Sequence, residues 1–157
     1  MAANSRQATI HFDYFKTTFR LKDPKKTRAW IEQVVKAEGA RIASLSYVFC
    51  TDAYLLKINR EYLNHDTLTD IITFEYSEKG SGDLEGEIYI SVPRVKENAR
   101  KMGTGLNGEL HRVIIHGVLH LLGYGDKTRK EKEKMRGKEE EWLRVLEGEG
   151  VPRETRK

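Results

Sequence analysis

The hydrophobic positions of this chain repeat with two different periods, and each period predicts a different kind of element. Strands are predicted where apolar and polar residues alternate or where β-branched and aromatic residues run together, over 8–14, 42–50, 71–76 and 86–91. Helices are predicted where apolar residues recur every three or four positions or where a capping residue or proline opens a segment, over 23–39, about 51–62, 93–102, after 105, and from 128 onward. The order of these elements predicts an α+β fold in which one small mixed sheet packs against a central helix.

The central helix is the one that follows residue 105. Seven of the ten residues from 113 to 122 are apolar and point in nearly every helical direction, which is typical of a helix that is buried on all sides. At 157 residues, with 38% hydrophobic and 33% charged residues, the chain is long enough for one core. We therefore expect one domain over 1–150 and a frayed tail over 151–157.

Two histidines interrupt the apolar surface of this helix. His116 and His120 are four residues apart, so their side chains lie about 40° apart around the axis and one turn apart along it. Gly123 can end the helix, and Gly125 allows a return that brings Asp126 towards the imidazoles. Two imidazoles and one carboxylate, with a fourth position open, are typical of a catalytic zinc site, and nickel would also accept these ligands. The alternative interpretation is that both histidines are core residues, bonded to the backbone or to each other.

The histidine segment overlaps the zincin protease signature, yet Gly117 stands where a metallopeptidase has its general-base glutamate. The variant present here, HGVLHLLGY, resembles instead the YbeY family of bacterial metal-dependent endoribonucleases, which are implicated in ribosomal RNA maturation and quality control. Residues 62–74, YLNHDTLTDIITF, are similar to a second segment of that family, and the match extends over about 59–142. Three positions depart from the family pattern, and one of them is Glu87, which replaces an aspartate. Asp126 replaces its third histidine ligand, and Leu63 replaces an arginine.

The resemblance implies a zincin-like fold and a zinc-dependent endoribonuclease that cuts single-stranded RNA, with His116, His120 and Asp126 as metal ligands. A bound zinc ion lowers the pKa of its water far below that of bulk water, to about 7, so metal-activated water is the expected nucleophile, and no further catalytic residue is identified. The carboxylate of Asp126 should make that water less acidic than a third imidazole would. Arg60 and His65 lie near position 63 and are the candidates for binding a substrate phosphate.

The charge distribution adds only a weak preference for polyanionic partners. The net charge is +4 and the isoelectric point is near 9.1. Basic residues concentrate in 16–28 and 94–101, each of which is either a phosphate-facing patch or ordinary solvated surface. From 128 to 141, eleven of fourteen residues are charged, six positive and five negative, and this balance favours a solvated face over an RNA-binding surface.

The expected function is therefore a zinc-dependent, single-strand-specific endoribonuclease in rRNA maturation and ribosome quality control, with rRNA precursors and ribosomal subunits as partners. Two alternatives stay open: a non-catalytic, metal-stabilised factor for ribosome assembly or RNA binding, and a metallopeptidase. The chain shows no secretory signal and no apolar run of membrane length, and its single cysteine, Cys50, fits a small core residue in a reducing compartment. We therefore expect a cytoplasmic protein.

Overall fold

The computed structural model describes residues 9–78 and 80–149, and its elements follow the predicted order. The strands are β1 (Ile10–Tyr14), β2 (Arg41–Cys50), β3 (Ile71–Glu75) and β4 (Asp83–Ser91). The helices are α1 (Pro24–Ala37), α2 (Asp52–Leu63), α3 (Val92–Met102), α4 (Leu106–Leu121) and α5 (Arg129–Arg144), followed by a π-helical turn at Val145–Glu149. None of the described helices is both long and apolar enough to span a bilayer. The predicted frayed tail at 151–157 lies outside the described residues.

The four strands form one mixed sheet in the order β1-β2-β4-β3. Strands β1, β2 and β4 run parallel, and β3 is antiparallel to β4 at the edge of the sheet. This arrangement confirms the predicted α+β domain. Strand β4 begins three residues earlier than predicted, because Asp83 and Leu84 still pair with Arg41 and Ile42 of β2.

The main core lies between one face of the sheet and helices α1, α4 and α5. Helix α4 contributes the largest set of buried apolar residues, which are Leu110, Val113, Ile114, Ile115, Val118, Leu119 and Leu121. This burial confirms α4 as the central helix. A smaller cluster under α2, on the opposite face of the sheet, contains Cys50, Leu55, Ile58 and Ile72. The prediction that Cys50 is a core residue is therefore also confirmed.

Helix α4 makes its close approach to the sheet at Gly117. A Cβ atom added there would lie 3.0 Å from Ile71 Cδ1 and 3.1 Å from two carbons of Ile88, which is tight van der Waals contact. Position 117 therefore faces the strands. A glutamate at this position would enter the apolar core, where an unpaired charge is costly.

The helix starts agree with the predicted capping residues. Asp23 and Thr51 accept hydrogen bonds from backbone N–H groups in the first turns of α1 and α2. Thr128 and Glu131 form a complete capping box at the start of α5. These caps satisfy N–H groups that have no partner within the helix. The start of α5 is thereby fixed only a few residues after the end of α4.

Candidate active site

A cavity of about 470 Å³ lies beside α4, between the start of β3 and helix α5. Its charged and titratable lining residues are Asp70, which precedes β3; Glu109, Arg112 and His116 of α4; Asp126 of the following loop; and Lys132, Arg136 and Glu139 of α5. All of these residues except Asp70 fall into two groups. The paired wall is the set Glu109, Arg112, His116 and Glu139, and the open rim is the set Asp126, Lys132 and Arg136.

The paired wall is a chain of partly buried ion pairs within α4 and between α4 and α5. The three α4 residues are spaced by three and four, so they lie on one face of that helix. Arg112 Nη1 donates to Glu139 Oε1 at 2.8 Å, and Arg112 Nε lies 3.7 Å from Glu109 Oε1. The second Glu139 oxygen, Oε2, lies 2.7 Å from His116 Nδ1. Glu139 is only 6% exposed, so both of its oxygens are used inside the protein.

The enclosure of this cavity changes the protonation of its lining residues. Burial by itself lowers the pKa of His116, but the hydrogen bond and charge of Glu139, with smaller contributions from two nearby aspartates, raise it above its usual value. Burial raises the pKa of Asp70. Burial also raises the pKa of Glu109, and the charge of Arg112 opposes part of that rise. The pKa of each of these groups is thus set by the balance between burial and the charges around it.

Two of the three predicted metal ligands come together at the mouth of the cavity. His116 Nε2 lies 3.4 Å from Asp126 Oδ2. Two ligand atoms that are each about 2.1 Å from a tetrahedral ion are about 3.4 Å apart, so this pair fits a shared ion. The bond from Glu139 to Nδ1 leaves Nε2 as the metal-facing nitrogen, which is how carboxylates orient many histidine ligands.

The third predicted ligand, His120, lies one helical turn beyond His116. Its side chain is exposed and does not line the cavity. Within residues 9–78 and 80–149, no three histidine, cysteine, aspartate or glutamate side chains converge closely enough to hold a metal ion. The ligand set in the structure thus consists of one matched pair and one histidine that stands apart from it.

The loop that carries Asp126 is fixed at two points. The hydroxyl of Tyr124 donates to Glu38 Oε1 of the α1 C-terminus at 2.7 Å. A Cβ atom added at Gly125 would lie 2.7 Å from Glu131 Cδ, so the capping carboxylate of α5 fits against this position only because it is glycine. These two contacts place Asp126 on the side of the loop that faces the α4 histidine.

Comparison with known proteins identifies the family. The family model described as Endoribonuclease YbeY matches residues 13–147. The chain belongs to the YbeY family. A curated protein named Endoribonuclease YbeY from Cytophaga hutchinsonii is 48% identical over 135 residues, which cover 86% of this chain and 94% of that relative. Another with the same name, from Amoebophilus asiaticus, is 47% identical over 133 residues, which cover 85% and 90% of the two chains. The solution structure of a Thermotoga maritima protein matches with a TM-score of 0.63 and 27% identity, over 89% of this chain and 90% of that one.

The segment that departs from the YbeY pattern at Leu63 reaches the cavity only at its later residues, Thr69, Asp70 and Ile71. Leu63 is the last residue of α2 and is 39% exposed. Arg60 forms an exposed ion pair with Asp66, and His65 is exposed in the loop that follows. None of Leu63, Arg60, Asp66 and His65 lines the cavity. The assignment of Arg60 and His65 to substrate binding therefore stays a prediction, without support from the cavity.

The basic segments singled out in the sequence contribute no residue to the cavity lining, and one of them is partly neutralised. In 94–101, Arg94 pairs with Asp52 and Arg100 pairs with Glu97. The cations that line the cavity are instead Arg112 of α4 and two side chains of α5, Lys132 and Arg136. The interpretation of α5 as a solvated face missed both of these α5 residues.

Glu139 is another cavity residue that the sequence interpretation missed, although the sequence contained a signal for it. The buried residues of α5 are Met135, Glu139 and Trp142, which are spaced by four and three. Position 139 therefore lies on the buried face of this helix, between Met135 and Trp142. A carboxylate on such a face must have a buried partner, because an unpaired buried charge is costly.

Proposed function

We propose that this YbeY-family chain is a metal-dependent endoribonuclease that hydrolyses single-stranded RNA, and that it acts on rRNA precursors in ribosome maturation and quality control. The arrangement of His116 is the observation that carries the proposal. Its Nδ1 atom is engaged by buried Glu139, and its Nε2 atom faces Asp126 at 3.4 Å. Zinc is the ion that best suits imidazole ligands combined with one carboxylate. The names of the curated relatives support the nuclease assignment.

The residues of the cavity divide the work between them. His116, His120 and Asp126 would hold the ion, which when bound lowers the pKa of a coordinated water and polarises a phosphoryl oxygen. Glu139 keeps the ring of His116 in one orientation, and Arg112 keeps Glu139 in place. The cavity of about 470 Å³ is large enough for part of a nucleotide.

The two alternatives differ from this proposal in what they require. A metallopeptidase needs a general base beside the metal, but position 117 faces the sheet and both oxygens of Glu139 already contact Arg112 and His116. A non-catalytic RNA-binding factor needs no base. It is also consistent with the replacement of the family's arginine by Leu63. It predicts that the intact protein binds RNA without cutting it.

The proposal is tested by combining metal analysis with RNA cleavage. Protein purified without chelators should contain about one divalent ion per chain and should cut a single-stranded RNA faster than the same sequence in a duplex. His120→Ala should lose the metal and at least a hundredfold in cleavage, while the fold is kept because this side chain is exposed. The matched control is His11→Ala, an exposed histidine on β1 that should change neither property.

Two results would contradict the proposal. Protein that was never exposed to chelators and contains no stoichiometric metal would remove the metal from the mechanism. Equal cleavage by the parent and by His120→Ala would assign the activity to a contaminating ribonuclease.

A further inference from the structure

The open rim contains two cationic side chains that have no hydrogen-bond or ion-pair partner within the described part of the chain. Lys132 and Arg136 line the cavity together with His116 and Asp126. Both are exposed, and within the described residues neither side chain makes a hydrogen bond or an ion pair. Burial raises the pKa of Glu109, and the charges of Arg112 and, to a smaller extent, Arg136 oppose part of that rise, so Arg136 acts on this carboxyl through its charge alone. These two side chains are therefore available to an anionic ligand.

The remaining cation of the cavity is not available in this way. Arg112 donates to Glu139 at 2.8 Å and lies 3.7 Å from Glu109. A phosphate that captured Arg112 would leave Glu139 with one unpaired oxygen in a buried position, which costs several kcal/mol in typical cases. Binding of a phosphate is therefore expected at Lys132 and Arg136 instead.

The charge balance of the lining shows when these cations can bind a phosphate. Four carboxylates line the cavity, Asp70, Glu109, Asp126 and Glu139, against three cationic side chains. A divalent ion beside Asp126 would reverse the sign of this balance. A phosphate chain is then attracted to the cavity at two places, the ion and the rim cations.

The geometry of α5 extends the rim into a row. Lys132 and Arg136 are four residues apart, about 6 Å along the axis, and lie on the same face. Arg129 lies on this face as well, one turn before Lys132. A second cavity of about 340 Å³ is lined by Arg129, Lys132, Glu133 and Arg136. The two cavities share Lys132 and Arg136, so these two side chains stand between the cavity at the α4 histidine and the cavity along α5.

We propose that Lys132 and Arg136 form a binding site for consecutive phosphates of a single-stranded RNA, and that they supply substrate-binding cations in a chain that has leucine rather than arginine at position 63. The site directs the strand along α5, away from the scissile bond at the metal position. This assignment rests on the proposed endoribonuclease function, because it names the path of that enzyme's substrate. It places the phosphate contacts on α5 and not on the basic segments at 16–28 and 94–101.

The test measures the salt dependence of binding and the kinetics of cleavage in the metal-loaded protein. A labelled single-stranded oligodeoxythymidine is the binding probe, because it carries the phosphates but is not a ribonuclease substrate. Lys132→Ala combined with Arg136→Ala should weaken binding on the order of tenfold and lower the slope of log affinity against log salt by about 1.4, the value for two lost contacts to a single strand. On RNA, KM should rise on the order of tenfold with little change in kcat.

The matched control removes one lysine and one arginine from another face of the same helix. Lys130→Ala with Arg144→Ala changes the net charge equally, and both side chains are exposed and outside the two cavities. This control should retain the parental slope and KM. The charge-conserving pair Lys132→Arg with Arg136→Lys should restore most of the binding. Thermal unfolding of all variants should agree with that of the parent, since exposed substitutions change stability little.

The possible results separate this inference from the function on which it rests. If the parent cuts RNA and the Lys132/Arg136 double alanine variant keeps its slope and KM, the rim assignment is wrong and the nuclease stands. If the double variant and the Lys130/Arg144 control lose the same amount of binding affinity, the effect comes from net charge alone. That result would also overturn the assignment. A parent protein that neither binds nor cuts RNA would overturn the proposed function itself.

Discussion

The two sides of the cavity carry similar charged residues. On one side these residues are paired within the protein, and on the other they are largely exposed to solvent. On the paired wall, every charged group has a partner within the protein, and Glu139 at its centre is 6% exposed. On the open rim, Asp126 has 41% of its side chain exposed, and the two rim cations of α5 face solvent. The same kinds of charge are thus fixed on one side and available on the other.

This difference follows from the cost of leaving a charge unpaired. A buried ion pair gives up solvation that only its partner replaces, so the removal of one member is far more costly than the removal of a solvated charge. The paired wall therefore resists rearrangement and can keep His116 in one orientation. The open rim loses only water when a ligand arrives. It can bind and release a substrate at little cost to the fold.

The largest expected effect is on the paired wall, at Glu139. Glu139→Ala removes a partner from both Arg112 and His116 and leaves Arg112 Nη1 and His116 Nδ1 without their acceptor in a partly buried place. We expect a loss of about 3 kcal/mol in the free energy of unfolding, measured by urea denaturation of the metal-free protein. In the metal-loaded protein, zinc affinity should fall roughly tenfold to a hundredfold, measured by competition with a chromophoric chelator.

The neighbouring residue provides the control for this prediction. Glu140→Ala removes an exposed carboxylate from the same helix and should change stability by less than about 0.5 kcal/mol. Glu139→Gln keeps the shape and one acceptor and should fall between the two. If Glu139→Ala unfolds at the same urea concentration as Glu140→Ala, the paired wall contributes nothing, and the contrast between the two sides of the cavity disappears.

The sequence predicted the elements well because the signals for them are local. The alternation in β1, the caps at Asp23, Thr51 and Thr128, and the apolar surface of α4 are each determined by residues a few positions apart. The α4 site was visible for the same reason. One spacing of four relates His116 to His120, and one glycine-containing turn brings Asp126 within 3.4 Å of the first histidine.

The missed part of the site depends on how two helices pack, which no local spacing describes. Glu139 is 23 residues from His116, and the contact between them exists only because α5 lies across α4. The same packing turns Lys132 and Arg136 towards the cavity, whereas Lys130 of the same charged run stays outside it. The charge count for α5 combined all faces of the helix. The cations proposed to bind RNA lie on one of those faces.

An intermediate effect is expected for charges that are basic but far from the open rim. Lys25 and Lys26 are exposed at the start of α1 and do not line either cavity. Lys25→Glu with Lys26→Glu would lower the formal net charge from +4 to zero, which weakens the general attraction to RNA. We expect about a fivefold loss of affinity for a single-stranded oligonucleotide, about 1 kcal/mol, with a smaller change of salt slope than the rim variant shows. A larger slope change here than at the rim would place the phosphate path on α1.

The smallest expected effect concerns the anchor of the loop that carries Asp126. Burial acts to raise the pKa of Glu38, but the hydrogen bonds from Tyr124 and Lys138 outweigh it and hold the pKa below the usual 4.5. A carboxyl with a depressed folded pKa contributes stability that is present above its unfolded pKa and is lost as the pH falls through the folded value.

Glu38→Gln keeps an acceptor for Tyr124 and loses the ion pair, so we expect about 0.5 kcal/mol less stability at pH 7. Urea unfolding at pH 7 and at pH 3 should show this difference shrinking in acid, while Glu32→Gln, an exposed change on the same helix, should show little difference at either pH. A deficit for Glu38→Gln that is the same at both pH values would mean that the loop is held by the shape of this side chain and not by its charge.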